Sequence, residues 1–240
     1  MLTADKLRDL SIKKQTTVLN IRREYVQHLF LSYFYQLSTT SHVFFKGGTA
    51  LHLIYGNPRF SEDLDFSSRL RHRGRIEDVL QNTLKEVERE GIEVEIEEAK
   101  ETTGGYLAII GFKVLSDKVT LQLELSYRNS DQQGEVITVV NDFIPPYTIV
   151  ALKREQLIGQ KIQALISRQK ARDFYDLYFI LRANLLHPEE KTVLTKVLQI
   201  LTKEKIRFKT ELEEFLPRSH SALVKDFKST LERELRLFMA

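Results

Sequence analysis

Apolar residues near the start of the chain recur with the spacing of an α-helix. Tyr25, Leu29 and Tyr33 fall on one helical face, so we expect helices over residues 3–37. The same spacing returns over residues 75–90. Both segments are therefore expected to lie with one face against a core.

Elsewhere in the first 140 residues the pattern changes to alternation or to short apolar runs, which predict strands. We expect short strands at 42–46 and 64–68, the first leading through Gly47 and Gly48 into a short helix that Gly56 ends. Three or four longer strands are predicted at "IEVEIEE", "GYLAIIGFKV", "KVTLQLELSY" and "EVITVV".

Two consecutive prolines, Pro145 and Pro146, provide the best candidate boundary, because proline cannot continue a helix or a strand ladder. After them the pattern becomes helical and stays so. The fold class predicted is α+β, with a sheet-containing domain and N-terminal helices over residues 1–148. An all-helical domain is expected over residues 149–240.

The composition excludes several classes of protein. Of 240 residues, 42% are hydrophobic and 29% are charged, as in a soluble globular protein. The absence of cysteine excludes disulfides and thiolate ligands. The charged first residues and the lack of a long apolar stretch predict a cytoplasmic protein without a membrane partner. A net charge of +3 is too balanced to indicate nucleic-acid binding by itself.

Three carboxylates occupy positions that neighbouring strands could bring together. Alternation along a strand puts Asp63 and Asp65 on one face, and it puts Glu124 on the polar face of its own strand. Carboxylates that converge need a cation between them, and oxygen-only ligands suit Mg²⁺ or Mn²⁺. The two aspartates alone would equally suit a turn or a capping pair.

A glycine-containing turn supplies a second candidate feature. Lys46, Gly47, Gly48 and Thr49 stand between a predicted strand and a predicted helix, where backbone amides can approach an anion. Thr49 would cap the helix or contact a phosphate oxygen. A tight strand-to-helix turn without a ligand accounts for the same residues.

The first helix predicted after the prolines carries cations in its apolar stripe. Arg154, Lys161 and Arg168 recur every seven residues on this inward face, where a cation needs a partner. Asp173 and Asp176 lie one turn apart at the start of the next helix. These acids either neutralise Arg168 or Lys161 and so lock two helices together, or Asp176 holds Lys161 toward a triphosphate.

Four segments in this order resemble the AbiEii/AbiGii nucleotidyltransferase toxin family, which includes the MenT toxins. They lie within residues 44–179 and read "KGGTAL", "RFSEDLDFS", "LQLELSYR" and "KIQALISRQKARDFYDLY". The resemblance implies a polymerase-beta-like nucleotidyltransferase fold, a mixed sheet flanked by helices, followed by an all-helical domain. It also implies the toxin of a bacterial toxin–antitoxin or phage-defence system, encoded beside an antitoxin. Such an enzyme moves a nucleotide from an NTP to an acceptor, here expected to be tRNA or another RNA, and releases pyrophosphate.

The resemblance also assigns roles to individual residues. Asp63 and Asp65 would bind Mg²⁺ or Mn²⁺, and Glu124 would be a metal ligand or a general base. Lys161 and Asp176 would complete the catalytic set, with Lys161 offsetting charge on the triphosphate. The residues expected around the nucleotide are Lys46, Gly47, Gly48, Thr49, Ser61, Lys161, Arg168 and Asp173.

Two other functions fit parts of the sequence. A nucleotidyltransferase could modify a protein or a small molecule instead of RNA, although the basic C-terminal helices favour RNA. A non-catalytic nucleotide-binding module would keep the glycines, but it would have no need for three clustered carboxylates.

Overall fold

The protein was described from a computed structural model that covers residues 2–127, 131–203 and 206–239. The chain divides into two compact units. The first consists of Met1–Gly56 and Phe60–Lys153, and the second of Asn57–Arg59 and Arg154–Ala240. The short segment Asn57–Arg59 therefore belongs to the second unit, although its neighbours in sequence belong to the first.

The first unit contains one mixed sheet of seven strands in the described residues. The strands are β1 Val43–Lys46, β2 Leu64–Ser68, β3 Glu93–Thr102, β4 Gly105–Val114, β5 Asp117–Ser126, β6 Gly134–Val139 and β7 Tyr147–Leu152. Their spatial order is β3-β4-β5-β2-β1-β7-β6. β2 pairs with β1 antiparallel and with β5 parallel, so it lies between the strand that leads into the glycines and the strand that carries Glu124.

Helices of the first unit begin and end close to the predicted positions. They are α1 Ala4–Lys13, α2 Val18–Phe34, α3 Gly47–Tyr55 and α4 Arg73–Arg89. Thr3 and Thr17 cap α1 and α2, because their hydroxyls accept hydrogen bonds from backbone N–H groups in the first turn. α2 is buried on nearly all sides, and its core residues include Ile21, Tyr25 and Val26.

The expectation of helix directly after Pro145 and Pro146 is wrong. Residues Tyr147–Leu152 form β7, which pairs antiparallel with β6 and parallel with β1. Ile149, Ala151 and Leu152 of this strand are buried. A short buried strand reads as an apolar run, and its periodicity does not distinguish it from the start of a helix.

Helices make up the second unit, and with the mixed sheet they confirm the predicted α+β class. They are α5 Arg154–Arg168, α6 Ala171–Arg182, α7 Leu194–Lys203, α8 Phe208–Leu212, α9 Ser221–Lys225 and α10 Phe227–Met239. Short 3₁₀ helices include Pro188–Val193, Glu213–Phe215 and Arg218–His220. The aromatic rings of Tyr175, Phe208 and Phe227 form part of the core, with the Phe208 and Phe227 centroids 4.9 Å apart. Within the ranges that the structure covers, no helix has the length and apolar character needed to cross a bilayer.

Candidate active site

Charged side chains form a row across the middle of the sheet in the first unit. Asp65 of β2 lies directly opposite Glu124 of β5 on one side and Lys46 of β1 on the other. Asp63 is the residue before β2. It is two residues from Asp65, and side chains two residues apart in an extended chain lie on the same face. The strands of Asp65 and Glu124 are therefore neighbours, which was the condition for these carboxylates to come together.

Gly47 lies against the carboxylate of Asp65. Its φ of +86° is in the left-handed region that glycine adopts without strain. A Cβ atom at this position would lie 2.0 Å from Asp65 Oδ2, well inside van der Waals contact. The glycine is thus needed for its backbone conformation and for the space that the aspartate occupies, and the two sequence motifs meet at this point.

The N-terminus of α3 starts at this glycine. Lys46 occupies the N-cap position, and its side chain does not cap the helix. The first N–H groups of a helix have no partner within the helix, and they carry the positive end of its dipole. The turn therefore offers backbone donors of the kind that bind phosphate.

Thr49 has a different role from the one expected. It is fully buried, and its hydroxyl donates a hydrogen bond to the backbone carbonyl of Asp63. The expectation that it caps α3 is wrong, because Lys46 occupies the N-cap. Its contact with a phosphate oxygen stays a prediction. What the structure shows is that Thr49 joins α3 to the segment that carries the first aspartate.

Gln27 of α2 holds the same segment and was missed by the sequence analysis. Its Nε2 donates to the backbone carbonyls of Ser61 at 2.8 Å and Glu62 at 3.4 Å, and Gln27 is 1% exposed. Nearby, Arg23 Nη2 lies 2.6 Å from Glu62 Oε1. The available signal was a glutamine among the apolar positions of α2, since a buried amide needs hydrogen-bond partners.

In the second unit, Asp176 is the centre of a buried polar cluster. Its Oδ1 accepts hydrogen bonds from Asn57 Nδ2 at 2.9 Å and Arg59 Nε at 2.8 Å. Its Oδ2 accepts from Arg59 Nη2 at 2.9 Å and Lys161 Nζ at 2.8 Å. Asn57 and Arg59 had no role predicted from the sequence, although Arg59 belongs to the "RFSEDLDFS" segment. Two cations around one carboxylate leave this cluster with one net positive charge.

Burial and charge act in opposite directions on Asp176. Burial by itself would raise its pKa, but the charges and hydrogen bonds of Arg59 and Lys161 outweigh that effect and lower the pKa well below its ordinary value. For Arg59, burial would lower the pKa, and the Asp176 carboxylate more than compensates, so its pKa is raised. Asp176 and Arg59 are therefore both ionised at neutral pH.

The neighbouring acid forms a second ion pair. Asp173 is 1% exposed, and both of its oxygens accept hydrogen bonds from Arg168, at 2.7 and 2.8 Å. Helix α6 is therefore tied to α5 by Arg168–Asp173 and by Lys161–Asp176, as the ion-pair alternative proposed. Of the three cations expected on the inward face, only Lys161 is buried, whereas Arg154 and Arg168 are exposed. A contact between Lys161 and a triphosphate stays a prediction.

The carboxylates of the first unit suit a hard cation in their chemistry. Asp65 and Glu124 are directly opposite in register, and every side-chain donor offered by Asp63, Asp65 and Glu124 is a carboxylate oxygen. In the part of the chain that the structure describes, no group of three or more His, Asp or Glu side chains is arranged to hold a metal by itself. Mg²⁺ is commonly bound by one or two carboxylates together with substrate phosphates, so the donor set fits that kind of site.

Comparison with models of protein families shows which family this chain belongs to. The model of the nucleotidyl transferase AbiEii toxin family, described as part of a type IV toxin–antitoxin system, matches residues 29–239. The chain belongs to the AbiEii nucleotidyltransferase toxin family. The resemblance seen in the four sequence segments is thereby confirmed, and this AbiEii protein belongs to a family of transferases. Its match begins within α2, after Gln27.

Two solved structures share the fold of this AbiEii protein. The crystal structure of JHP933 from Helicobacter pylori has a TM-score of 0.60 and 21% identity, covering 92% of this chain and 95% of that one. The crystal structure of a provisionally assigned nucleotidyltransferase from H. pylori has a TM-score of 0.58 and 22% identity, covering 90% of this chain and 96% of that one. No curated protein matches the sequence. At these identities the likeness establishes the fold alone.

Proposed function

We propose that this AbiEii protein transfers a nucleotide from an NTP to an RNA acceptor, with tRNA as the expected substrate. It would act as the Mg²⁺-dependent toxin of a type IV toxin–antitoxin system in the cytoplasm. The observation that carries the proposal is the contact between Asp65 and Gly47. Gly47 is at the N-terminus of α3, and Asp65 lies opposite Glu124 in the sheet. This arrangement supports the proposal, because backbone N–H groups that would donate to phosphate begin beside a carboxylate that would bind a metal.

The first unit would bind the triphosphate. The N–H groups at Gly47 and Gly48 would donate to phosphate oxygens, and Ser61 would add its hydroxyl. Thr49 and Gln27 hold the Ser61–Asp63 segment by hydrogen bonds to its carbonyls, so they would keep Asp63 in position. Precise placement of reacting groups contributes strongly to catalysis, and these buried contacts would provide it.

Asp63 and Asp65 would hold the metal, and Glu124 would be a third ligand or the general base. Bound Mg²⁺ would supply positive charge that stabilises the entering and leaving oxygens of the transfer. Glu124 is exposed and accepts a hydrogen bond from Gln122 Nε2 at 2.9 Å. As a base, its carboxylate would accept the proton of the acceptor hydroxyl as that oxygen attacks the α-phosphorus and pyrophosphate leaves.

Lys161 and the residues that support it all lie in the second unit. Asp176 accepts a hydrogen bond from Lys161 Nζ, while Arg59 and Asn57 also donate to its carboxylate. The net positive charge of this cluster suits a triphosphate. We assign Asp176 the role of orienting Lys161, and Arg168 and Asp173 the role of holding α5 and α6 together near it.

A transfer assay tests the proposal. Wild-type protein and Asp63→Ala would be incubated with each labelled NTP in turn, with Mg²⁺ or with EDTA, and with or without total tRNA. Label on tRNA that requires the wild-type protein and Mg²⁺ is the expected result. Label on the protein or on no acceptor would reject RNA as the substrate, and transfer by Asp63→Ala at the wild-type rate would reject the assigned site.

A further inference from the structure

A cleft in the C-terminal part of the second unit is lined by both cationic and apolar residues. It has a volume of about 310 Å³ and lies among α8, the 3₁₀ helices at 213–215 and 218–220, and α9. Three of its lining residues are the cations Lys209, Arg218 and Lys225, against one acid, Glu213. The three cations are exposed, and none makes an ion pair with a carboxylate among the described residues.

The floor of the cleft is apolar. Leu216 and Val224 line it and are each 5% exposed, and Pro217 lies beside them. A cationic rim over an apolar floor differs from a site for a free phosphate ion, which needs polar groups alone. An unpaired nucleotide in RNA could contact both parts of the cleft, because its base and ribose can pack on apolar side chains while the flanking phosphates face cations.

The cleft is joined by direct packing to the helix that carries Asp176. The His220 ring, which lines the cleft, contacts Tyr175 with centroids 6.4 Å apart, and Tyr175 is the residue before Asp176 in α6. Burial lowers the pKa of His220, so its imidazole is neutral at physiological pH and presents a flat, uncharged ring. Phe208, which precedes Lys209, packs on Phe174 of the same helix. Residues in and next to the cleft therefore pack directly against α6.

From this arrangement we infer that the cleft is a binding site for the phosphate backbone of RNA, in which Lys209, Arg218 and Lys225 contact phosphates. The inference rests on the proposed function and deepens it, because it assigns the RNA acceptor a contact in addition to the residues proposed for the transfer. Its role is to bind the acceptor and not to take part in the chemistry.

The inference predicts how strongly RNA affinity depends on salt concentration. Each cation that neutralises one phosphate contributes about 0.7 on a single strand, and about 0.9 on a duplex, to the slope of log affinity against log salt. Loss of all three contacts should lower that slope by about 2–3. The affinity for RNA should fall about tenfold or more at low salt, and the difference should shrink as salt is added.

The test compares the triple variant Lys209→Ala, Arg218→Ala, Lys225→Ala with a control triple variant, Lys191→Ala, Lys196→Ala, Arg236→Ala. Both remove two lysines and one arginine from exposed positions of the same unit, and the control residues lie outside the cleft. Binding of fluorescently labelled total tRNA would be measured by anisotropy from 50 to 300 mM NaCl, without NTP. Thermal melting would confirm that both variants fold, as expected for exposed positions.

We expect weaker binding and a smaller salt slope for the cleft variant only. Equal slopes and affinities for the two variants would overturn the inference, as would a wild-type protein that does not bind tRNA at 50 mM NaCl. If the triple variant did not fold, the single variants would be compared with single control variants in the same titration. Because no transfer is needed, the binding result is independent of whether the transfer assay succeeds.

Discussion

The contact between Gly47 and Asp65 predicts that Gly47→Ala will damage activity far more than stability. A Cβ atom would lie 2.0 Å from Asp65 Oδ2, whereas Cβ atoms in proteins keep at least 3.0 Å from other heavy atoms. The carboxylate would therefore have to move by about 1 Å. A displacement of that size at a reacting group can reduce the rate about 100-fold.

The stability cost has a separate origin. Alanine at a φ of +86° is strained, and a left-handed conformation costs an L-residue about 1–2 kcal/mol. For a chain of this size, that corresponds to a fall in Tm of about 2–8 °C. The folded state would therefore remain populated at the temperature of an activity assay.

Gly56→Ala is a matched control for the strain. Gly56 ends the same helix with a φ of +77°, but a Cβ atom there would meet no other atom within 4 Å. Both variants should lose similar stability in thermal melts, and only Gly47→Ala should lose nucleotide transfer in single-turnover assays. Equal activity of the two variants would refute the assignment of Asp65 to the reacting centre.

Four further variants test the other contacts. Asp63→Ala should abolish transfer while the free energy of unfolding changes little. Denaturant melts and the transfer assay, done on the same variant, would show whether activity is lost without a loss of stability. Asp176→Ala leaves buried cations without their carboxylate, so the free energy of unfolding at pH 7 should fall by about 3–5 kcal/mol. Because folding lowers the pKa of Asp176, the wild type loses this stability as the pH falls below about 4. The difference in stability between wild type and variant that melts show at pH 7 should therefore shrink at pH 3. Glu124→Gln should lower kcat about 100-fold or more without weakening NTP binding measured by calorimetry, and an unchanged kcat would exclude it as the base. Gln27→Glu, which cannot donate to the Ser61 carbonyl, should destabilise the protein by about 1–3 kcal/mol in denaturant melts and reduce transfer, and wild-type values of both would show that this hydrogen bond has no role.

Much of the first unit could be predicted from local pattern. The alternation in β4 and β5 and the apolar face of α4 each depend on residues close in sequence, and parity alone put Asp63, Asp65 and Glu124 on polar faces. β7 could not be predicted in the same way. Its short apolar run is compatible with strand or helix, and only its pairing with β1 and β6, far away in sequence, decides between them.

The candidate site shows the same division. An acid at Asp173 or Asp176 was expected to pair with Lys161 or Arg168 because a cation on an inward helix face needs a partner, and the family resemblance implied the pair Lys161 and Asp176. The contributions of Asn57 and Arg59 depend on a segment that leaves one unit and joins the other, and no sequence period records such a placement. Likewise, Thr49 was expected to cap α3 or to contact a phosphate oxygen, and the hydrogen bond from its hydroxyl to the Asp63 carbonyl could not be predicted, because it depends on where that carbonyl lies in the fold.

The position of α2 relative to the family match has a practical consequence for anyone who shortens this protein. A version that starts at residue 29, where the family similarity begins, would lack the part of α2 that contains Ile21, Tyr25 and Val26, all 4% exposed or less. It would also lose Gln27, the donor to the Ser61 carbonyl. We expect such a fragment to expose core surface and aggregate on expression, so the stretch that the family model matches should be shorter than the smallest part of this chain that folds.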